Sequence, residues 1–256
     1  MPISFQTRPA LVAYITCGDP DLATSRDIAL AAIESGANVI ELGVPFSDPL
    51  ADGAVIQRAS QRALRHGTTL AQVIELGEEI RRQSQAGLII FSYLNPILRL
   101  GLERFAASMQ DAGIDGALIT DLPVEESEGY VREMRRRNLA TVFLAAPTST
   151  DERLKAIAAA SRGFVYAVSR TGVTGARQEM AQDARKLVQR LRKFTKLPVA
   201  VGFGISTAAQ FAAVGEFADA AVVGSAIVQT IENNPGSEAK SVAEFIRQLS
   251  AAAQSR

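Results

Sequence analysis

Three carboxylates fall within twelve residues in the segment Glu41-Leu-Gly-Val-Pro-Phe-Ser-Asp-Pro-Leu-Ala-Asp-Gly53: Glu41, Asp48 and Asp52. Glu41 lies inside an apolar, β-branched run, where an ionised side chain is costly to bury unless it is paired, protonated or put to use. Burial raises the pKa of a carboxylic acid towards neutrality, which suits a group that must both give and take a proton. Spacing alone also allows a buried Glu satisfied by backbone donors or a basic neighbour. Asp48 and Asp52 follow in a Pro- and Gly-rich stretch, where Asp often only shapes a turn. Taken together, the three acids point to paired carboxylates acting as acid, base or electrostatic stabiliser.

A second group of candidates is built from glycine. The segments are Ser169-Arg-Thr-Gly-Val-Thr-Gly175, Val201-Gly-Phe-Gly-Ile205 and Val223-Gly-Ser-Ala-Ile227. Glycine lets the backbone approach a ligand, and Ser225 is expected to open a helix whose free N–H groups face an anion. One such loop means little, because βα turns use glycine anyway. Three on successive strands point to phosphate. Arg170 either meets that anion or faces solvent, and Thr174 either bonds a carboxylate or holds its turn. His66 and Cys17 are the single histidine and the single cysteine. They leave no material for a His-rich metal site, a paired-cysteine zinc site or an internal disulfide, and a Ser-His-Asp triad away from His66 is not expected. Cys17 is expected to pack as a small buried side chain. His66, just ahead of Gly67, is expected at a helix end.

Short apolar runs alternate with segments of helical period along the whole chain. The strand candidates are Ala10–Thr16, Asn38–Gly43, Gly87–Tyr93, Gly116–Asp121, Thr141–Ala146, Gly163–Ser169, Pro198–Gly204 and Ala220–Ser225. Between and after them, three- and four-residue apolar spacing predicts helices at Leu22–Glu34, Leu70–Gln83, Leu102–Ala112, Glu125–Arg137, Asp151–Ala160, Ala181–Phe194, Thr207–Val214 and Val242–Ala253. Strands apolar on both faces imply a parallel sheet covered by helices. Eight repeats without a linker predict one domain over residues 1–256, a closed (β/α)8 TIM barrel of the α/β class. In such a barrel the chemistry sits at the C-terminal ends of the strands, which is where the acids and glycines fall. The charge run Arg132–Arg137 reads as a solvated helix face.

Composition narrows the function classes further. Lys plus Arg (27) balances Asp plus Glu (27), so no basic surplus favours nucleic acid, and an anionic ligand must be held by local geometry. Hydrophobic residues at 47% suffice for a sizeable core. The N-terminus has no signal-peptide pattern, and no apolar run reaches the roughly 20 residues of a membrane helix. The expectation is a cytoplasmic protein.

The strand-two segment Glu41–Gly53 resembles the signature of the tryptophan synthase α-subunit family. Thr16-Cys-Gly-Asp-Pro20, Asp121-Leu-Pro-Val-Glu-Glu126, Ser169–Gly175 and Val201–Ile205 resemble further segments of that family, in the same order. The resemblance implies retro-aldol cleavage of indole-3-glycerol phosphate to indole and glyceraldehyde 3-phosphate, as a step of tryptophan biosynthesis. It implies Glu41 and Asp52 as the catalytic pair, with Thr174 bonding Asp52 when its loop, Arg170–Glu179, closes. Gly175, Gly204, Gly224 and Ser225 are implied for phosphate, and Tyr14, Phe91, Tyr93, Tyr166 and Phe203 for the indole pocket. Asp48, Asn95 and Pro96 are implied to face a β subunit in an α2β2 heterotetramer. No metal and no cofactor are expected in this chain, with pyridoxal phosphate confined to the β subunit. Alternatives are a free-standing indole-3-glycerol phosphate lyase, another phosphate-binding barrel such as an isomerase, and a mainly allosteric partner of the β subunit. Two departures from the family stand out. Only nine residues precede strand one, with Pro2 and Pro9 disfavouring a helix there, so the underside of the barrel is expected to be thinly covered. Phe91 stands where a smaller aliphatic residue is usual, which alters the pocket's shape.

Overall fold

The computed structural model describes residues 3, 5, 7–168, 177–202 and 204–254. In chain order its elements are β1 (Ala10–Thr16), α1 (Leu22–Glu34), β2 (Val39–Gly43), α2 (Ala54–Arg65), α3 (Leu70–Arg81), β3 (Gly87–Ser92), α4 (Leu94–Leu100), α5 (Leu102–Asp111), β4 (Gly116–Ile119) and α6 (Glu128–Arg136). They continue with β5 (Ala140–Val142), β6 (Leu144–Ala145), α7 (Asp151–Ala160), β7 (Val165–Val168), α8 (Arg177–Leu191), β8 (Val199–Gly202), α9 (Ala208–Val214), β9 (Ala220–Val223), α10 (Ser225–Asn233) and α11 (Glu238–Gln254). All strand pairings are parallel, in the order β5-β4-β3-β2-β1-β9-β8-β7-β6.

The two ends of that order, β5 and β6, are consecutive in the chain and separated only by Phe143. The Phe143 carbonyl still accepts a hydrogen bond from the Tyr166 N–H at 3.1 Å. They are therefore the two halves of one broken fifth strand, and the sheet closes into an eight-position barrel. The strand expected over Thr141–Ala146 is interrupted at Phe143. The strands that begin at Gly87, Gly116 and Ala220 end one or two residues earlier than predicted, because those last residues leave the ladder to build the rim.

Side-chain alternation sets what the barrel holds. Residues pointing outwards, such as Leu11, Ala13, Ile15, Ile40, Leu42, Leu88 and Ile90, pack with the helices in the main core. Residues pointing inwards, including Val12, Val39, Ile89, Leu118, Val142, Phe164 and Ala200, fill the barrel. Two positions further along those strands stand Tyr14, Glu41, Phe91, Thr120, Leu144, Tyr166 and Gly202. The period of two thus places each of them in the uppermost inward layer. The underside is not bare: Ile3 is buried there and Phe5 sets its ring 5.6 Å from that of Phe164. Those two apolar side chains cover that end of the barrel.

Local signals fix the helix starts. Thr69 with Gln72 and Thr207 with Gln210 form capping boxes at α3 and α9, and Asp21 caps α1 by accepting from the Thr24 N–H at 2.7 Å. His66 is the C-cap of α2 and Gly67 follows with φ of 73°, as the helix-end reading expected. Cys17 is fully buried, and burial pushes its thiol far above the ordinary range, away from any nucleophilic role. The arginine run sits on α6, with Arg132 and Arg136 exposed and sharing Glu133. Among the described residues, no helix is long and apolar enough to cross a membrane.

Candidate active site

A cavity of about 420 Å³ opens at the C-terminal end of the barrel. Its wall includes Tyr14, Glu41, Asp52, Phe91, Tyr166, Gly204, Gly224 and Ser225. Eight residues predicted from sequence are therefore brought together from β1, β2, β3, β7 and the rim segments that follow β2, β8 and β9. Thr174, Gly175 and Phe203 lie outside the described residues, as does most of Arg170–Glu179.

Glu41 is 1% exposed, and neither carboxylate oxygen has a hydrogen-bond partner among the described residues. Among the described residues, no backbone donor and no basic neighbour holds this carboxyl. Burial raises its pKa to about 8, so near neutral pH the group is mostly the uncharged acid. The energetic cost of an unpartnered polar group in the barrel core is what an acid awaiting a substrate would show.

Asp52 sits in the rim segment after β2, and burial raises its pKa to about 6. The Tyr93 hydroxyl donates to Asp52 Oδ2 at 3.2 Å, which pulls in the opposite direction, and accepts from the Ala51 N–H at 3.0 Å. Gln57 of α2 donates to the Asp52 carbonyl at 2.9 Å, so the acid-bearing segment is tied to the helix that follows it. Tyr93 itself is not on the cavity wall where an indole pocket residue was expected. Its ring stacks on Phe46 with centroids 4.9 Å apart, and burial, with the charge of Asp52, raises its hydroxyl to about 12. It holds Asp52 from behind.

The aromatic wall is set by two close approaches. A Cβ on Gly43 would lie 2.4 Å from the Tyr14 hydroxyl, and one on Gly202 would lie 2.4 Å from the Tyr166 hydroxyl. Only glycine leaves room for these rings to lie across the neighbouring strands. Tyr14 meets Phe91 edge to face at 5.1 Å. Burial, and then the charge of Glu41, raises the Tyr166 hydroxyl well above its ordinary range, so it stays protonated.

At the opposite side, Gly204 has φ of 75° with open space where a Cβ would stand. Gly224 is the N-cap of α10 and makes no side-chain cap bond, which leaves the first N–H groups of that helix free for an anion. No Lys or Arg is among the described residues of the wall. Sequence reasoning missed Gly53, Ile56, Thr120, Leu144, Pro147 and Thr148 on this wall. Thr120, Pro147 and Thr148 follow strand ends, so the barrel rule alone could have flagged them. Ile56 could not be placed without α2.

Asn95 and Pro96 line a second cavity of about 480 Å³, with Val44, Phe46, Ser47 and Leu70. Asp48 is exposed beside it and accepts from the Ser47 hydroxyl at 2.6 Å. Leu50 and Leu98 are 94% and 55% exposed, the large hydrophobic residues left open among those described. Leu50 lies two residues after Asp48, and Leu98 is on α4 with Asn95 and Pro96.

Comparison with known proteins agrees with this geometry. Residues 3–255 match the family model described as tryptophan synthase alpha chain. The tryptophan synthase alpha chain of Solibacter usitatus is 51% identical over 246 residues, covering 95% of this chain and 92% of the relative. That of Geobacter sulfurreducens is 46% identical over 248 residues, covering 96% and 94%. A chain from the tryptophan synthase α2β2 complex of Pyrococcus furiosus superposes with a TM-score of 0.90 at 39% identity, covering 96% of this chain and 99% of that one.

Proposed function

The chain belongs to the tryptophan synthase alpha chain family, and from that premise we propose that its barrel cavity cleaves indole-3-glycerol phosphate by a retro-aldol reaction driven by Glu41 and Asp52. The observation that carries this is Glu41: a buried, unpartnered carboxyl on the cavity wall, held as the acid near neutral pH.

Each proton then has a source and a destination. Glu41 gives its proton to indole C3, which places a positive charge on the ring nitrogen. Asp52, ionised above about pH 6, faces that charge and stabilises it. The Glu41 carboxylate left behind takes the proton of the hydroxyl on the carbon attached to C3. That C–C bond breaks, its electrons return to the ring, and indole and glyceraldehyde 3-phosphate leave with Glu41 protonated again. The free N–H groups around Gly204, Gly224 and Ser225 anchor the phosphate, so the short transfers at the other end are pre-aligned. No cofactor enters this scheme.

The apolar rim around Asn95, Pro96, Leu50 and Leu98 supports docking of a β subunit in an α2β2 heterotetramer, where indole would be joined into L-tryptophan with that subunit's pyridoxal phosphate. The cytoplasm is the compartment that fits a soluble biosynthetic lyase. The test is the pH dependence of kcat/KM for indole release, which reports the free protein's essential acid and base. It should be bell-shaped, rising through about pH 6 as Asp52 ionises and falling through about pH 8 as Glu41 does. A flat profile across both limbs would remove the carboxylates from the chemistry.

A further inference from the structure

Away from the cavity wall, four charged side chains join three elements. Arg62 of α2 grips both oxygens of Asp19, with Nε to Oδ1 at 2.7 Å and Nη2 to Oδ2 at 2.8 Å. Its third arm, Nη1, donates to Glu232 Oε1 of α10 at 2.6 Å. Arg58, one turn earlier on α2, places Nε and Nη2 on the same carboxylate at 2.9 and 2.6 Å. Gln229 adds a donor to Glu232 Oε2 at 2.9 Å. Asp19, between β1 and α1, is almost wholly buried, and Arg62 is largely so. The two arginines hold the Glu232 carboxyl down at about 2. Two cations and two anions thus share charge-assisted bonds in fork geometry, the strong and directional kind.

What these groups tie together is the notable part. Asp52 and Gly53 lead directly into α2, and Gln57 of that helix holds the Asp52 carbonyl. Gly224 leads directly into α10. Both helices start at a glycine with no side-chain cap. The two helices also pack directly at that end, with Ala59 of α2 and Val228 of α10 buried around Tyr14 and Val55 and Ile56 of α2 against them. The Arg62 fork adds a charged tie between α2 and α10 further along both helices.

We propose that Arg62, with Glu232, is a positioning pair that holds the acid end of the cavity at a fixed distance from the phosphate end, so that one substrate molecule engages both. The proposal rests on the function given above. A fixed separation matters only to a substrate that spans both ends, and misplacement of about 1 Å can cost on the order of 10²-fold in rate. A pair that served stability alone would change the folded fraction, and every activity with it, in equal measure.

The experiment compares kcat/KM for indole-3-glycerol phosphate with that for indole-3-glycerol, which lacks the phosphate, in the parental chain, Arg62→Lys and Glu232→Gln. Lysine keeps the charge and loses the fork. Glu232→Gln leaves the Asp19–Arg62 grip intact and carries the test if Arg62→Lys fails to fold. In the parental chain the ratio should be large, because remote phosphate binding is used at the reacting centre. In each folded variant that ratio should fall about 10-fold or more, with the shorter substrate changed by less than about twofold. Equal losses on both substrates, or no loss on either, would overturn the positioning role. If the parental chain cleaves neither substrate, the functional reading itself falls and takes this proposal with it.

Discussion

Replacing Glu41 by Gln should remove a pH-dependent weakness from the fold. In the folded chain Glu41 ionises at about 8, whereas its ordinary value is 4.5. Between those values the folded state holds a proton that the unfolded state has released, so stability falls as pH rises, by up to about 1.4 kcal/mol per pH unit. Integrated from pH 6 to pH 8, the Glu41 contribution drops by about 2 kcal/mol. Asp52 is also raised, but to about 6, so most of its own change lies below this window. For a chain of this length, that corresponds to a fall in Tm of about 4–8 °C between the two pH values. Glutamine is uncharged throughout and removes the slope. Its amide is itself a buried polar group without a partner, so the absolute stability of the variant is a poor readout and the pH slope is the clean one. Thermal melts of the parental chain, Glu41→Gln and Asp52→Asn at pH 6 and 8 make the comparison. The parental and Asp52→Asn proteins should share the fall, and Glu41→Gln should lack it. If Glu41→Gln keeps the full slope, Glu41 is not the buried acid described here, and its assigned role in catalysis loses its basis.

Further outcomes follow from the same geometry. Glu41→Gln and Asp52→Asn should each lower steady-state indole release by at least about 10²-fold with the fold intact by circular dichroism. Tyr93→Phe removes a donor that lowers the Asp52 pKa, so the acidic limb of the pH–rate profile should move upwards from about 6. An unmoved limb would mean the hydroxyl does not hold Asp52. A Cβ on Gly224 would meet Tyr14 no closer than 3.5 Å, so the first carbon of the new side chain fits and Gly224→Asp brings a carboxylate to the start of α10. Calorimetry should show glycerol phosphate binding lost in that variant by charge repulsion, and an unchanged affinity would take the phosphate elsewhere.

The barrel was legible because its strands are apolar on both faces and its helices carry apolar stripes at their own period. Glu41 was legible for the converse reason: it is a carboxylate in a strand that otherwise tolerates none. The helix over Ala54–Arg65 was not read as an element, although His66-Gly67 marked its end. It begins directly from the Pro- and Gly-rich acid segment and has no side-chain cap to announce it. The break at Phe143 left no trace, because Val142, Phe143 and Leu144 alternate inwards and outwards as an unbroken strand would. Tyr93 was read as pocket wall, whereas its neighbour Phe46, stacked on its ring, places it behind Asp52. The Arg62 network could not be seen at all. Its partners are 43 and 170 residues away in sequence, and only closure of the barrel brings β1, α2 and α10 side by side.

The most direct measurement follows both products in one assay. Purified chain is given indole-3-glycerol phosphate, and indole and glyceraldehyde 3-phosphate are quantified with and without a tryptophan synthase β subunit. The two products should appear in equal amounts, slowly from the chain alone and faster when the β subunit is docked on the rim around Asn95 and Leu98. Folded chain that releases neither product under either condition would contradict the assignment of this cavity to indole-3-glycerol phosphate cleavage.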